Sequence, residues 1–398
     1  MTAIDLIYFN AGGGHRAAAG ALEAVIAERY PDWEVRAINL FELLDPGDQF
    51  RRLLGMAPED LYNRRLARGW TVGMAQELRV MQAAIRMGHR LLLRTLRPHW
   101  LRSNPDLVVS LIPNFNLALH DSLRSVLPDV PFVTVLTDLA DHAPHFWIEP
   151  GTSQHVVCGT ETACSQARAM GCPESQIHRT SGMILRPDFY DVPAIDVAAE
   201  RARLGLDADR ATGVVMFGGQ GSMEMVSIAR QLPDVQLILM CGHNEALVRT
   251  LQPARSEAPH AVVEFTPDVR RYMQLGDFFI GKPGPGSLSE AVQLGLPVIT
   301  LRNVWTMPQE RYNADWVLEH GLGLVVKSAR KIRPAVVELL DQIEVFTSNV
   351  SAMENRAVFE VPGILDGILR AAPHSGAEGR PEYASGATAV AVALRGHV

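Results

Sequence analysis

The sequence predicts an α/β protein of two units, each a parallel sheet covered on both faces by helices. Three observations carry this expectation. Short apolar runs alternate with helical stretches in two separate series. Each series contains a strand that ends in a glycine-rich turn and passes at once into a helix, at Gly12-Gly13-Gly14 and again at Gly218-Gly219-Gln220-Gly221. The length, 398 residues, is too great for one average domain and comfortable for two.

The first series runs from Ile4 to Phe9, through a helix from about Ala17, then Leu107 to Leu111, a helix from Ala118 to Leu127, and Phe132 to Leu136. Apolar runs of this length suit strands buried on both faces. The second begins near Gly213 and includes Val214 to Phe217, Val235 to Met240, Val262 to Phe265, Phe278 to Ile280, Val298 to Leu301 and Gly323 to Val326. Between them, Arg186-Pro187-Asp188-Phe189-Tyr190-Asp191-Val192-Pro193 is punctuated by proline and precedes a charged helix around Ala198 to Leu204. The expected division is residues 1–190, 191–370 and a tail, 371–398. The tail is rich in Ala, Gly and Ser without amphipathic period, which predicts disorder.

Composition excludes several classes. Hydrophobic residues at 47% and charged residues at 20% are those of a folded protein. Cys158, Cys164, Cys172 and Cys241 form no Cys-x-x-Cys pair and no zinc spacing with histidine, so free thiols in a reducing cytoplasm are expected. The opening residues lack a basic region before a short apolar run, which predicts no export signal. No window holds the ~20 apolar residues needed to span a bilayer.

Net charge is −7, yet residues 51–102 carry eleven arginines against Glu59, Asp60 and Glu77. There Arg79, Arg86, Arg90, Arg94 and Arg97 alternate with apolar residues, and Trp100 stands at one end. Such a basic amphipathic helix suits contact with an anionic membrane. A solvated face packed on the first unit is the competing reading. Aromatics do not alternate along a basic strand, so nucleic acid is not an expected partner.

Four segments carry chemistry. In Asn10-Ala11-Gly12-Gly13-Gly14-His15-Arg16, Gly13 and Gly14 let backbone approach a phosphate or acceptor at a helix N-terminus, and His15 faces the crevice beyond the strand ends. It reads as a general base or ligand contact, or as a residue that packs the turn. Asp138, in Thr137-Asp138-Leu139, leaves a buried strand at the same end and is either a second catalytic group or a turn cap. His142, His145 and Trp147 nearby suggest an acceptor-side wall. The turn Gly218-Gly219-Gln220-Gly221-Ser222 implies a second phosphate cradle, unless the glycines serve only tight packing.

The sharpest segment is Gly281-Lys282-Pro283-Gly284-Pro285-Gly286-Ser287-Leu288-Ser289-Glu290. Helix-opening amides and Ser287 could meet a diphosphate while Glu290 accepts both hydroxyls of a ribose. A first-turn acid favoured by the helix dipole is the plain alternative for Glu290. Gln309, Glu310 and Asn313, in Pro308-Gln309-Glu310-Arg311-Tyr312-Asn313, have side chains suited to vicinal sugar hydroxyls or to an exposed polar helix start.

Taken together, these motifs resemble family 28 glycosyltransferases, and most closely monogalactosyldiacylglycerol synthases and related diacylglycerol glycosyltransferases. Gly12-Gly13-Gly14-His15-Arg16-Ala17, Thr137-Asp138-Leu139, Leu185-Arg186-Pro187 and Gly284-Pro285-Gly286-Ser287 with Glu290 carry the likeness, which runs to about residue 330. Gln309 and Asn313 match a Gln-x-x-x-Asn spacing shared with the N-acetylglucosaminyltransferases of peptidoglycan lipid intermediates.

The resemblance implies a GT-B fold, two Rossmann-like domains with parallel sheets facing across a central cleft. It implies a UDP-sugar donor as co-substrate, a lipid acceptor and inversion at the anomeric carbon. Glu290 would hold the ribose, Gly286 and Ser287 the diphosphate, Gln309 and Glu310 the sugar. Phe265 would lie at the uracil site and Arg186 near the leaving diphosphate. His15 or Asp138 would take the acceptor proton. The motifs that carry the resemblance include no Asp-x-Asp, which predicts no metal and no further cofactor. Two departures, no acid in the Gly218 turn and no glycine before Gln309, leave the sugar open.

A cytoplasmic enzyme peripheral on the inner face of the cell membrane is therefore expected. A UDP-sugar epimerase on the same fold and a non-catalytic UDP-sugar-binding or membrane-recruiting module are the rivals.

Overall fold

The computed structural model describes residues 1–10, 13–45, 47, 52, 74–142, 145–252, 256–304 and 306–372. The predicted tail from residue 373, Gly12 of the first turn and Arg51, Arg64, Arg65 and Arg68 of the basic segment lie outside them.

Two six-stranded sheets, parallel throughout, make up the two units. The first comprises β1 (Thr2–Tyr8), β2 (Trp33–Asn39), β3 (Leu107–Ser110), β4 (Phe132–Val135), β5 (His155–Cys158) and β6 (Ile177–Arg179), in spatial order β2-β1-β3-β4-β5-β6. The second comprises β7 (Thr212–Met216), β8 (Gln236–Met240), β9 (His260–Val263), β10 (Phe278–Gly281), β11 (Val298–Leu301) and β12 (Gly323–Val326), ordered β12-β11-β10-β7-β8-β9. The order reverses at β1/β3 and at β7/β10. At such switch points the loops leaving the strand C-termini part, which opens a crevice for ligand.

The described helices of the first unit are α1 (Gly14–Arg29), α2 (Leu40–Leu44), α3 (Met74–Met87), α4 (His89–Ser103), α5 (Asn116–Arg124) and α6 (Glu161–Ala169). Those that follow are α7 (Val197–Arg203), α8 (Glu224–Gln231), α9 (Glu245–Leu251), α10 (Val269–Met273), α11 (Pro285–Gln293), α12 (Arg311–Glu319), α13 (Ile332–Asp341), α14 (Ile343–Ser351) and α15 (Ala357–Ala371).

The central strands are wholly buried, as near-continuous apolar runs require. One charged residue interrupts these buried strands. Asp5, fully buried in β1, accepts from Arg36 Nε at 2.7 Å and lies 3.2 Å from His99 Nε2, so its charge is paired and ties β1 to β2 and α4.

Two expectations need correction. Helix α15 belongs with the first unit, not the second: Val358, Val361, Leu365 and Ile368 pack in one cluster with Ile4, Leu6, Leu22 and Val25. The chain therefore crosses between units twice. The crossings touch where Ser181 N donates to Glu360 at 2.8 Å, Arg356 N donates to Ser181 Oγ at 2.7 Å and Asn355 Nδ2 donates to the Met183 carbonyl at 3.0 Å. Trp100, expected at a membrane, is fully buried in α4 and donates from Nε1 to Ser122 Oγ at 2.8 Å. An indole bonded in the core cannot serve as an interfacial anchor.

Strands β2, β5 and β6 were not anticipated. β2 is an edge strand carrying Glu34 and Arg36, and β6 has only three residues, so neither presents an apolar run.

Candidate functional site

The turn after β1 enters α1 with Gly13 as N-cap at φ +83, a left-handed conformation that glycine adopts without strain. A Cβ at Gly13 or Gly14 would meet nothing within 4 Å, so open space lies before the turn. The first turn of α1 has no acidic residue and no side-chain cap, leaving its amides available.

His15, in that turn, is half-buried. Its Nδ1 lies 3.0 Å from Thr137 Oγ1, and the Leu111 carbonyl accepts a further bond. Burial pulls its pKa down to about 4, outweighing the carbonyl, so the imidazole is neutral at physiological pH. Loops after β1, β3 and β4 thus converge on one ring.

Asp138, 8% exposed, accepts from Trp147 Nε1 at 3.0 Å. Burial pushes its pKa up to about 7. Glu310 adds to the rise, while the indole bond and Lys282 oppose it. Both Glu310 and Lys282 come from the second unit, so the two crevices share one cleft. Leu139 packs into the second unit's core, and Thr162 Oγ1 of α6 hydrogen-bonds the Tyr312 hydroxyl of α12 at 2.7 Å. Trp147 itself is fully buried and forms the floor behind Asp138 rather than an exposed wall. His142 is half-buried, its pKa lowered by burial and by Arg311 of the second unit.

In the second unit, Gly218 at φ +73 and Gly221 at φ +58 shape the turn after β7. A side chain at Gly221 would strike the Cys241 carbonyl, and one at Gly242 would strike Gly219, so the β7 and β8 loops interlock through glycine alone. A Cβ on Gly219 itself would meet nothing within 4 Å and the residue is exposed, while Ser222 Oγ accepts from Glu224 N at 3.2 Å and helps open α8. The turn after β10 ends with Gly284 as N-cap and Pro285 at the first helical position of α11. No side chain caps α11 and its first turn holds no acid, so amides at Gly286 and Ser287 face the cleft uncapped.

Glu290 sits one turn further along α11. Burial raises its pKa to about 7, with Arg186 lowering it and Asp188 raising it. Arg186 is anchored by donating from Nη1 to the Pro267 carbonyl at 3.1 Å and by Asp188 at 3.4 Å. Phe265 is 53% exposed and stacks on His243 with ring centroids 3.7 Å apart.

Glu310, 5% exposed, pairs with Lys282 Nζ at 2.7 Å. Asn313 is wholly buried; its Nδ2 donates to the Pro283 carbonyl at 2.8 Å, which braces the β10 turn from α12. Gln309 contacts Met307 Sδ at 3.6 Å and is drawn toward its own turn. The structure thus gathers His15 and Asp138 on one wall, and Gly218, Gly284, Glu290 and Glu310 on the other. Lys282 stood in the quoted loop without a role, because its partner lies 28 residues later in the chain. Among the described residues, no three His, Cys, Asp or Glu side chains converge as a metal set.

The basic helices pack behind the first-unit wall, where Arg86 reaches the buried Glu149 at 4.0 Å. Arg86, Arg90 and Arg94 are exposed, beside exposed Val80, Met81, Met87 and Leu91. Arg97 is half-buried and donates from Nε to Ser125 Oγ at 2.8 Å. No helix among the described residues is long and apolar enough to cross a membrane.

Comparison with known proteins agrees with this geometry. Residues 214–366 match the glycosyltransferase family 28 C-terminal domain. A probable monogalactosyldiacylglycerol synthase 2 of Oryza sativa subsp. indica is 30% identical over 352 residues, spanning 82% of this chain and 71% of the relative. The monogalactosyldiacylglycerol synthase of Spinacia oleracea is 27% identical over 393 residues, spanning 92% and 72%. Among solved structures, MurG of Acinetobacter baumannii superposes with a TM-score of 0.57 at 11% identity, covering 92% of this chain and all of that one. A UDP-GlcNAc 2-epimerase of Neisseria meningitidis gives 0.57 at 14%, covering 93% and 100%. At such identities the likeness is one of fold, the two-domain GT-B arrangement.

Proposed function

Because the chain belongs to the family 28 glycosyltransferases, with the monogalactosyldiacylglycerol synthases as relatives, we propose that it moves a hexose from a UDP-sugar to the hydroxyl of diacylglycerol or a similar lipid alcohol. The observation that supports this reading is the shared cleft, in which His15 and Asp138 face two glycine turns, an uncapped helix N-terminus and Glu310.

In this reading Glu290 holds the ribose and the α11 amides hold the diphosphate. Glu310 meets the sugar. The acceptor oxygen attacks the anomeric carbon from the first-unit wall; the bond to the phosphate oxygen breaks with its electron pair leaving on UDP, and the α donor becomes a β glycoside. Asp138 takes the acceptor proton, since its pKa of about 7 matches working pH. His15, neutral and bonded within the first unit, orients the hydroxyl. The positive ends of α1 and α11, with Arg186, provide countercharge for the leaving group, so the reaction is assigned no metal and no cofactor.

Exposed Arg86, Arg90 and Arg94 beside Met87 and Leu91 support peripheral attachment to an anionic leaflet, from which the lipid enters. The test is incubation with each common UDP-sugar, with and without diacylglycerol vesicles, following UDP release and labelled lipid for the wild type and His15→Ala. Vesicle-dependent UDP release with a β-linked lipid, lost in the variant, supports the reading and names the sugar. Release of a free epimerised sugar, or UDP-sugar binding without turnover on any acceptor, overturns it.

A further inference from the structure

Lys282 follows β10 directly, three residues before α11. Its Nζ lies 2.7 Å from Glu310 Oε1. Its stem passes between the two glycine turns: a Cβ placed on Gly284 would lie 3.4 Å from Lys282 Cε, and one on Gly218 would lie 3.7 Å away. One ammonium therefore stands within reach of a buried carboxylate and of the turns where the donor's phosphates are assigned. Two carboxylates, Glu310 and Asp138, sit around it. A lysine ammonium is a compact point charge on a flexible stem, able to move between neighbouring anions.

We propose that Lys282 exchanges partners during turnover, pairing with Glu310 in the empty site and with the diphosphate once the donor is bound. This rests on the UDP-sugar reading of the site. The exchange frees Glu310 to accept hydroxyls of the sugar. As the acceptor oxygen bonds to the anomeric carbon, the electron pair of the breaking bond stays on the β-phosphate oxygen, to which Lys282 donates, while the acceptor proton passes to Asp138. Drawing the ammonium toward the phosphates also removes a charge that lowers the proton affinity of Asp138, so the base strengthens only when the donor is in place.

The signature is a difference in sign between the two partners. Lys282→Met should weaken UDP binding by about tenfold or more while leaving uridine binding unchanged, and Lys282→Arg should restore part of the loss. Glu310→Gln removes the competitor for the ammonium, so it should tighten UDP binding severalfold even as kcat falls. Titration calorimetry with UDP and uridine reads all of these, with thermal unfolding to establish that each variant is folded. Equal UDP affinity in folded Lys282→Met and wild type, or weaker UDP binding in Glu310→Gln, overturns the exchange. A wild-type protein that binds neither UDP nor any UDP-sugar overturns the donor reading itself.

Discussion

The indole N–H of Trp147 donates to Oδ2 of Asp138 at 3.0 Å, and it is the principal force holding that buried carboxyl toward its ionised form. Trp147→Phe should therefore move the acid limb of the kcat/KM profile above pH 7. Asp138→Asn keeps an acceptor for the indole and removes the titration. A carboxyl whose folded pKa of about 7 exceeds its unfolded value near ~3.9 favours folding at acid pH. That contribution is lost as pH rises from ~4 to ~7. The variant should thus gain about 1–3 kcal/mol at pH 8, nothing at pH 4, and lose transfer activity. Thermal unfolding at the two pH values checks it.

Thr162 and Tyr312 join the units across the cleft at 2.7 Å. Thr162→Val and Tyr312→Phe should each cost about 0.5–1.5 kcal/mol, and the double variant should cost clearly less than their sum. Small-angle scattering without donor should show a wider distribution of separations in each. Additive effects in the cycle would mean that the contact does not couple the units.

Arg90→Glu with Arg94→Glu should abolish sedimentation with phosphatidylglycerol vesicles and leave unfolding temperature within a degree or two, because both side chains are exposed. Trp100→Ala should behave oppositely. It should cost about 3–5 kcal/mol through the cavity it leaves, and whatever remains folded should still bind vesicles.

Gly13→Ala and Gly221→Ala both place a side chain at positive φ. Only the second also drives it into backbone, the Cys241 carbonyl. Gly13→Ala should cost about 1 kcal/mol, Gly221→Ala several times that, measured by urea unfolding.

Backbone demands were the legible part of this chain. Gly218 and Gly221 stand in a strand-to-helix turn at positive φ, where any side chain is strained, so spacing alone marks them. Side-chain partnerships were less so. Asn313 has the right chemistry for a sugar hydroxyl, yet it is buried against Pro283, a contact set by how α12 docks. Trp100 ends a basic amphipathic helix, and periodicity gives the apolar face without saying whether it turns to lipid or core. Helix α15 reads like any helix of the second unit; only its apolar stripe against Ile4 and Leu22 reveals its allegiance.

That return of α15 has a consequence for biosynthesis. Ribosomes deliver the chain from its N-terminus, and the helix that completes the first unit's core begins 178 residues after the end of β6, the last strand of that unit's sheet. Until then Ile4, Leu6 and Leu22 lack their cover, so the first half waits, partly open, for the second to be made. In a nascent-chain series whose emerged segment ends before or after residue 371, the first half should pass from protease-sensitive to resistant only once α15 is out, whereas the second half, whose cores hold no residue of α15, should be resistant beforehand.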